Sequence, residues 1–477
     1  MKTDNTAERV AHGARDRSAE ARIADALGRR ARGLPPGARF PAVRALSAEL
    51  RASPVTIHRA VAQLVRAGVL RTRPGDGTYV EAPRAAPPTF DSTWQLTVLG
   101  AAPEPGPLAA LSPPREGAIA LGSGYVDETL QPLAALAKAA RRAASRGRTW
   151  DRQSIEGNVE LRRWFARDVG AHATARDVLV VPGGQAALAA TFRALVPFGG
   201  AMLVESPTYF GAIAIARQLG IRVVPVPVDD EGIRVDLAAA ALASSGARAI
   251  YVQPAFANPT GIVTSPARRE ALLELARRTG SFVVEDDYAR DLAFAAAPPP
   301  PLFRDGGDAV VYVRSLTKAA APGLRIAAVV ARGPVAHRIA TLRVVEDMFV
   351  SGLLQETALE LVTGSAWDGH LRALRQELRR RIAALVEALG EHFPAARIAR
   401  VPEGGFALFV DLPAGVDAEA LAAAALEGGV AVTPGRVFYA AEAPRESLRL
   451  SVAAAGPREL DRGVRVLSKA ARRLARA

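Results

Sequence analysis

The stretch AVVYVRSLTKAAAPGLRIAAVVA, residues 309–331, reads as an apolar strand, a turn carrying one lysine, and a second apolar strand. Apolar runs of this kind, continuous rather than alternating, belong to a sheet covered on both faces. Working outward, similar runs recur at VLVV (178–181), AMLVES (201–206), RVVPVPV (222–228), RAIYVQP (248–254) and SFVVEDD (281–287). Helix-length segments such as QAALAATFRALV and SPARREALLELARRTG separate several of them. Strands alternating with helices predict an α/β fold with a mostly parallel sheet, whose ligands gather at the carboxyl ends of the strands. Lys318 emerges at such an end.

Lysine is scarce here: of 61 Lys plus Arg, only Lys2, Lys138, Lys318 and Lys469 are lysines. Where a bare positive charge suffices, the chain carries arginine. A guanidinium stays protonated, whereas a desolvated amine loses its proton and can condense with a carbonyl. An internal lysine after a buried strand is therefore a candidate for covalent chemistry.

At 477 residues with 49% hydrophobic content the chain is expected to hold two or three domains. The absence of cysteine excludes disulfides, a thiolate nucleophile and a cysteine zinc site. The N-terminus is charged throughout and no apolar stretch is long enough to span a bilayer, so the expectation is a cytoplasmic protein without membrane or metal partners. The net charge of +13 is uneven, because residues 1–84 hold 16 basic and 8 acidic side chains. Such a block fits a polyanion partner, although arginine-rich helix faces are also simply well solvated.

Four segments follow from the patterning. Residues 1–81 read as three helices (19–32, 42–50 and the segment SPVTIHRAVAQLVRAG) and a hairpin around Pro-Gly-Asp-Gly, the shape of a DNA-binding winged helix-turn-helix. Residues 82–116 are Pro- and Ala-rich and read as a semi-rigid linker. Residues 117–366 form the large α/β domain, and residues 367–477, opening with a long helix, a smaller α+β domain.

The motifs around Lys318 sharpen the chemistry. Pyridoxal phosphate needs a lysine for its aldehyde, hydroxyls and an arginine for its phosphate, and a carboxylate for its pyridine nitrogen. Ser315, Thr317, Lys318 and Arg325 supply the first three, and the order S-x-T-K-x6-R resembles the lysine motif of fold type I pyridoxal-phosphate enzymes. By that resemblance, Gly184 and Gln185 in VVPGGQAAL open a helix at the phosphate, with Gly184 standing where the family has a serine. Tyr209 in ESPTYFGA matches a ring that stacks on the cofactor, and Asn258 in ANPTGIV the residue that bonds its phenolic oxygen. EDDYARDL supplies Asp286 as the pyridinium partner, with Glu285 and Asp287 as close rivals, and Tyr288 beside it as a catalytic and cofactor-binding candidate. Arg449 in ESLRLSVAA matches the arginine that holds a substrate α-carboxylate. Around RTWDRQSIEGNVELRRW there is Trp150 but no tyrosine where many members reach the neighbouring subunit's phosphate.

LPPGARFPAVRALSAELRASPVTIHRAVAQLVRAGVLRTRPGDGTYV, in turn, resembles the winged helix-turn-helix of GntR-type regulators. The resemblance implies that Arg44 meets backbone phosphate, that Ser53, Thr56 and His58 begin the helix entering the major groove, and that Arg71 and Arg73 flank the wing. Pro54 and His58 stand where the family often has an early arginine.

A reader of this kind joined to an aminotransferase-like body is similar to the MocR/GabR regulators over nearly the whole chain. That implies a pyridoxal-phosphate-dependent homodimer on paired half-sites of double-stranded DNA, sensing an amino acid or amine by aldimine exchange at Lys318. An active aminotransferase carrying a DNA-binding domain is the rival expectation, since the NPTG motif and both arginines, Arg325 and Arg449, are intact.

Overall fold

The computed structural model describes residues 19–81, 93–99, 117–170, 172–294 and 298–475. The chain divides into two compact units, Met1–Ala102 and Pro103–Ala477.

In the first unit, helices α1 (Ala19–Arg32), α2 (Val43–Leu50) and α3 (Pro54–Arg66) enclose a core of Leu27, Leu46, Ile57 and Leu64. Strands β1 (Arg39–Phe40), β2 (Leu70–Arg73) and β3 (Gly77–Val80) form a small sheet in the order β1-β3-β2. The α3 start follows from local chemistry: Ser53 Oγ accepts the Thr56 N–H at 3.1 Å, and Pro54 occupies the first turn, where its missing N–H costs nothing. Leu70 and Val80 face one another across β2 and β3, so the wing is pinned to the helices by its two buried ends. Within the proline-rich stretch, Thr93–Leu99 forms a short helix, α4; the rest of that linker lies outside the described residues.

The second unit begins with β4 (Ile119–Ala120) and continues through β5 (Val178–Val181), β6 (Ala201–Ser206), β7 (Arg222–Asp229), β8 (Gly232–Ile233), β9 (Ala249–Val252), β10 (Phe282–Asp287), β11 (Val310–Ser315) and β12 (Ala327–Val330). The last eight make one sheet in the order β5-β12-β11-β10-β9-β6-β7-β8. β11, β10, β9, β6 and β7 run parallel, while β12 runs antiparallel to both neighbours. Both faces are covered, which is why the strands read as unbroken apolar runs: Val283 and Tyr312 belong to one core, Val284, Val311 and Tyr251 to the other.

The smaller domain opens with the helix Trp367–His392, whose Leu371, Leu374, Leu378, Ile382, Leu385 and Leu389 form one buried stripe. Its sheet has the order β13 (Arg397–Ile398), β14 (Ala407–Asp411), β17 (Ser447–Ser451), β16 (Thr433–Pro434). A separate parallel pair joins β15 (Val430–Ala431) to β4, so the first residues after the linker stretch pack with the small domain. Among the described residues no helix is long and apolar enough to cross a membrane.

Candidate functional site

One pocket gathers the sequence-derived residues at the carboxyl edge of the large sheet. Gly184, Gln185, Tyr209, Asn258, Asp286, Tyr288, Ser315, Thr317, Lys318, Arg325 and Arg449 all line it. They arrive from different strands: β5 delivers Gly184 and Gln185, β6 Tyr209, β9 Asn258, β10 Asp286 and β11 Lys318. Arg325 reaches the same edge because it precedes the antiparallel β12, whose Ala327 pairs with Val181 at the end of β5.

Lys318 Nζ donates to the Gly124 carbonyl at 2.8 Å and lies 3.9 Å from the centre of the Tyr125 ring. Among the described residues no carboxylate forms an ion pair with it. Burial, reinforced by the Arg449 and Arg325 charges and opposed by Asp286, lowers its pKa to about 7. A sizeable fraction is thus the free amine at neutral pH. The rate at which the protein takes up an aldehyde such as pyridoxal phosphate should rise with pH through about 7 and then level off, whereas an ordinary lysine keeps gaining reactivity toward pH ~10. Stopped-flow absorbance across pH measures this, and a rate still climbing steeply near pH ~9 would contradict it.

The acid cluster sorts itself by strand alternation. Asp286 lines the pocket, with its Oδ2 accepting from Tyr251 O–H at 2.7 Å and Gln253 Nε2 at 3.0 Å. Burial raises its pKa to about 6 against those two bonds, which leaves it mainly ionised at neutral pH. Glu285 accepts from the Leu302 and Phe303 backbone N–H groups, and Asp287 accepts from Tyr312 O–H at 2.9 Å and pairs with Arg290. Neither rival lines the pocket.

The β5 end forms a cradle for an anion. Gly183 adopts φ 99°, ψ 167°, and a Cβ there would lie 2.3 Å from Arg325 Nη2, so the guanidinium occupies the space that only glycine leaves. The helix Gly184–Leu195 starts without a side-chain cap, leaving its first N–H groups for a ligand. Gln185 Oε1 and Thr317 Oγ1 are buried without a hydrogen-bond partner, as is Arg449 Nε. Buried polar atoms are ordinarily satisfied, so three orphans lining one pocket fit a polar ligand. A phosphate suits Thr317 and Arg325, a neutral-to-cationic ring nitrogen suits Asp286, and an aldehyde suits Lys318; the donor set fits pyridoxal phosphate.

Asn258 sits in the loop after β9, where Gly261 (φ 72°) tightens the turn and a Cβ would meet Pro402 at 2.7 Å. Arg449, 3% exposed on β17, donates to the Gly122 carbonyl at 2.7 Å and to Asn258 Oδ1 at 3.3 Å. Among the described residues no carboxylate pairs with it, and burial lowers its pKa to about 10. A buried cation without a counterion is primed for an anionic ligand. Tyr288, the catalytic and cofactor-binding candidate beside Asp286, lines the pocket, and its hydroxyl donates to the Phe256 carbonyl at 2.9 Å, so toward the pocket it can act as an acceptor. Tyr209 packs over Gly211, where a Cβ would lie 2.4 Å from its ring, and burial pushes its hydroxyl pKa up.

Sequence reasoning missed Gly124, Tyr125, Tyr251, Gln253 and Phe406. Tyr125 and Phe406 flank the lysine, yet each lies in a short stretch without a recognisable motif, GSGYVDE and GGFALF.

In the first unit Arg44, Ser53 and His58 are exposed and Thr56 is half-buried. The Ser53 hydroxyl is 2.8 Å from Thr56 Oγ1 as well as capping α3. Arg71 pairs with Glu81 at 3.2 Å, and Arg73 lies 5.0 Å from the Tyr79 ring centre and 3.8 Å from Asp76. These exposed pairs are weak and exchangeable for phosphate.

Comparison with known proteins agrees with both halves. Residues 116–467 match the model for aminotransferase class I and II, and residues 19–80 that for the gntR family of bacterial regulatory proteins. The chain is 25% identical to the uncharacterized HTH-type transcriptional regulator YdfD of Bacillus subtilis, over 90% of this chain and 91% of the relative. It is 33% identical to the 2-aminoadipate transaminase of Thermus thermophilus, over 75% of this chain and 90% of the relative. The crystal structure of the alpha-aminoadipate aminotransferase LysN from Thermus thermophilus, complexed with N-(5'-phosphopyridoxyl)-L-leucine, superposes with a TM-score of 0.71 at 31% identity, covering 78% of this chain and 97% of that one.

Proposed function

For a chain that belongs to the aminotransferase class I and II family and carries a gntR-family DNA-binding module ahead of it, we propose the function of a pyridoxal-phosphate-dependent transcriptional regulator that senses an amino acid or amine. The observation that carries it is the low-pKa Lys318 amine in one pocket with a carboxylate, an anion cradle and an arginine without a carboxylate partner, in a chain similar over 90% of its length to a protein named as an HTH-type transcriptional regulator.

When bound, the cofactor supplies a reactive aldehyde and an electron-accepting ring. Gly184, Gln185, Ser315, Thr317 and Arg325 would hold its phosphate, Asp286 its ring nitrogen, Asn258 its phenolic oxygen and Tyr209 its ring face, with Tyr288 an acceptor on the pocket wall beside Asn258. Lys318 would be the amine that holds the aldehyde, and its lowered pKa lets Nζ take up or yield a proton near neutral pH. Arg449 would bind the carboxylate of that effector in a two-pronged pair. An effector that bridges the large-domain residues and Arg449 favours one closure of the two, and a reader coupled to that closure changes its affinity for DNA by at most that differential energy.

Two copies presenting two readers to paired half-sites would complete the regulator. Support for self-association comes from apolar side chains left in water: Trp150 is 65% and Val345 86% exposed, with Val159 and Met348 also open.

Operator-fragment mobility shifts titrated with candidate amino acids, with and without pyridoxal phosphate, test the proposal. An affinity change that requires both ligands supports it; an unchanged shift together with keto-acid release at enzymatic rates would make the protein an aminotransferase that carries a DNA reader. Arg449→Met should leave DNA affinity without effector unchanged and weaken the half-maximal effector concentration by about 30-fold or more, the loss expected when one partner of a buried charge pair goes. An unaltered dose response for a carboxylate-bearing effector would remove Arg449 from the site.

A further inference from the structure

Gln253, just beyond β9, is 2% exposed. Its amide is used on both sides: Nε2 donates to Asp286 Oδ2 at 3.0 Å, and Oε1 accepts the Asn258 N–H at 3.0 Å. The flipped amide would set oxygen against carboxylate and NH2 against N–H, so only one orientation is satisfied. The backbone N–H of Gln253 is itself held by Glu205 Oε2 at 2.8 Å, from the adjoining β6. Asp286 Oδ2 takes a second donor from Tyr251 O–H at 2.7 Å, while no described donor goes to Oδ1. Asn258 Oδ1, in turn, accepts from Arg449. One neutral side chain thus ties together two residues that line the pocket, Asp286 and Asn258.

Resting on the reading that this pocket takes pyridoxal phosphate, we propose that Gln253 is a positioning residue: its amide fixes the carboxylate meant for the ring nitrogen and the asparagine meant for the phenolic oxygen in one register. Neither glutamine function touches the ring itself. What the site needs at position 253 is a group that donates toward Asp286 and accepts from Asn258 at once. A methionine conserves the volume and supplies neither. A glutamic acid supplies both when protonated and, when ionised, places a second carboxylate against Asp286.

The experiment is the dissociation constant of pyridoxal phosphate from full-length wild type, Q253M and Q253E, read by absorbance between pH ~5.5 and ~8.5. Asp286, Asp287, Tyr251, Tyr209, Tyr288, Glu205, Lys318 and Arg449 are titratable groups around this point and are common to the three proteins, so the uncharged Q253M reports their shared pH dependence and Q253E departs from it only through its own carboxyl and that group's coupling to Asp286. Q253M is expected to bind about tenfold or more weakly at every pH, and Q253E to come within about threefold of wild type at the acid end. The proposal is overturned if Q253M binds as wild type does, or if Q253E is no better than Q253M at acid pH. Should Q253M fail to fold, Q253E alone decides: tight binding at acid pH supports the role, loose binding there overturns it. A wild type that does not bind the cofactor would instead sink the functional reading above, whereas a wild type that binds beside indifferent variants sinks this inference only.

Discussion

Alanine at position 318 should abolish the red-shifted absorption band of the lysine-linked cofactor in protein reconstituted with pyridoxal phosphate, and with it the response of DNA binding to effector. That band, displaced to longer wavelength from the absorption of the free aldehyde, arises only when the aldehyde condenses with an amine, and Lys318 is the one lysine lining the pocket. The remaining cradle of Gln185, Thr317 and Arg325 still offers a phosphate its polar partners, so the variant should retain cofactor more weakly and with the absorption of the free aldehyde. Stability should not fall, because the substitution removes an amine whose charged form burial already disfavours. Operator affinity in the absence of effector should also persist, since the first unit has its own core. Spectra, thermal melts and mobility shifts on the same preparation separate these outcomes; a full-strength band in Lys318→Ala would contradict the assignment.

Gly183→Ala should be nearly as damaging although it adds a single methyl group. The backbone at φ 99°, ψ 167° lies in a region open essentially to glycine, which costs another residue about 1–3 kcal/mol. The added Cβ would also lie 2.3 Å from Arg325 Nη2 and 2.7 Å from its Cζ, so the guanidinium must leave the cradle. Losing a charge-assisted partner weakens phosphate binding by about 10- to 100-fold. The two effects can be told apart by a double-mutant cycle: if displacement of Arg325 is the main cause, Gly183→Ala should add little to the loss already caused by Arg325→Ala. Full additivity would mean that Gly183 acts through the backbone alone. Inorganic phosphate offers a second readout, since the same cradle should bind it competitively with the cofactor.

These effects were legible in the sequence to different degrees. The parallel sheet could be read because both of its faces are covered, which writes each strand as an apolar run, and because the chemistry sits where those runs end. Lys318 stood out by the scarcity of lysine. Asp286 could be separated from Glu285 and Asp287 only as a group, since alternation puts Asp286 opposite both neighbours without saying which face meets the pocket. That choice depends on the register of β10 against β9, which brings Tyr251 opposite Val284 and its hydroxyl to Asp286. Register between strands is fixed by packing partners and leaves no local mark. Tyr251 accordingly read as one more core residue, and Gln253 as the end of a strand. Tyr125 was hidden for another reason: it reaches Lys318 across 193 positions of chain, from a segment anchored on the small domain by β4 and by the bond from Asp127 N–H to the Ala453 carbonyl. Tyr288 was found by its neighbours, but its donor role toward Phe256 depends on a loop conformation that no motif encodes.

Borohydride reduction of the holoprotein, followed by tryptic digestion and mass spectrometry, tests most directly where the cofactor is attached. A modified lysine resists trypsin, so the phosphopyridoxyl mass should appear on the uncut peptide Ser315–Arg325, with Lys2, Lys138 and Lys469 unlabelled. Label distributed over those other lysines, or absent from this peptide in protein that has bound the cofactor, would contradict the account.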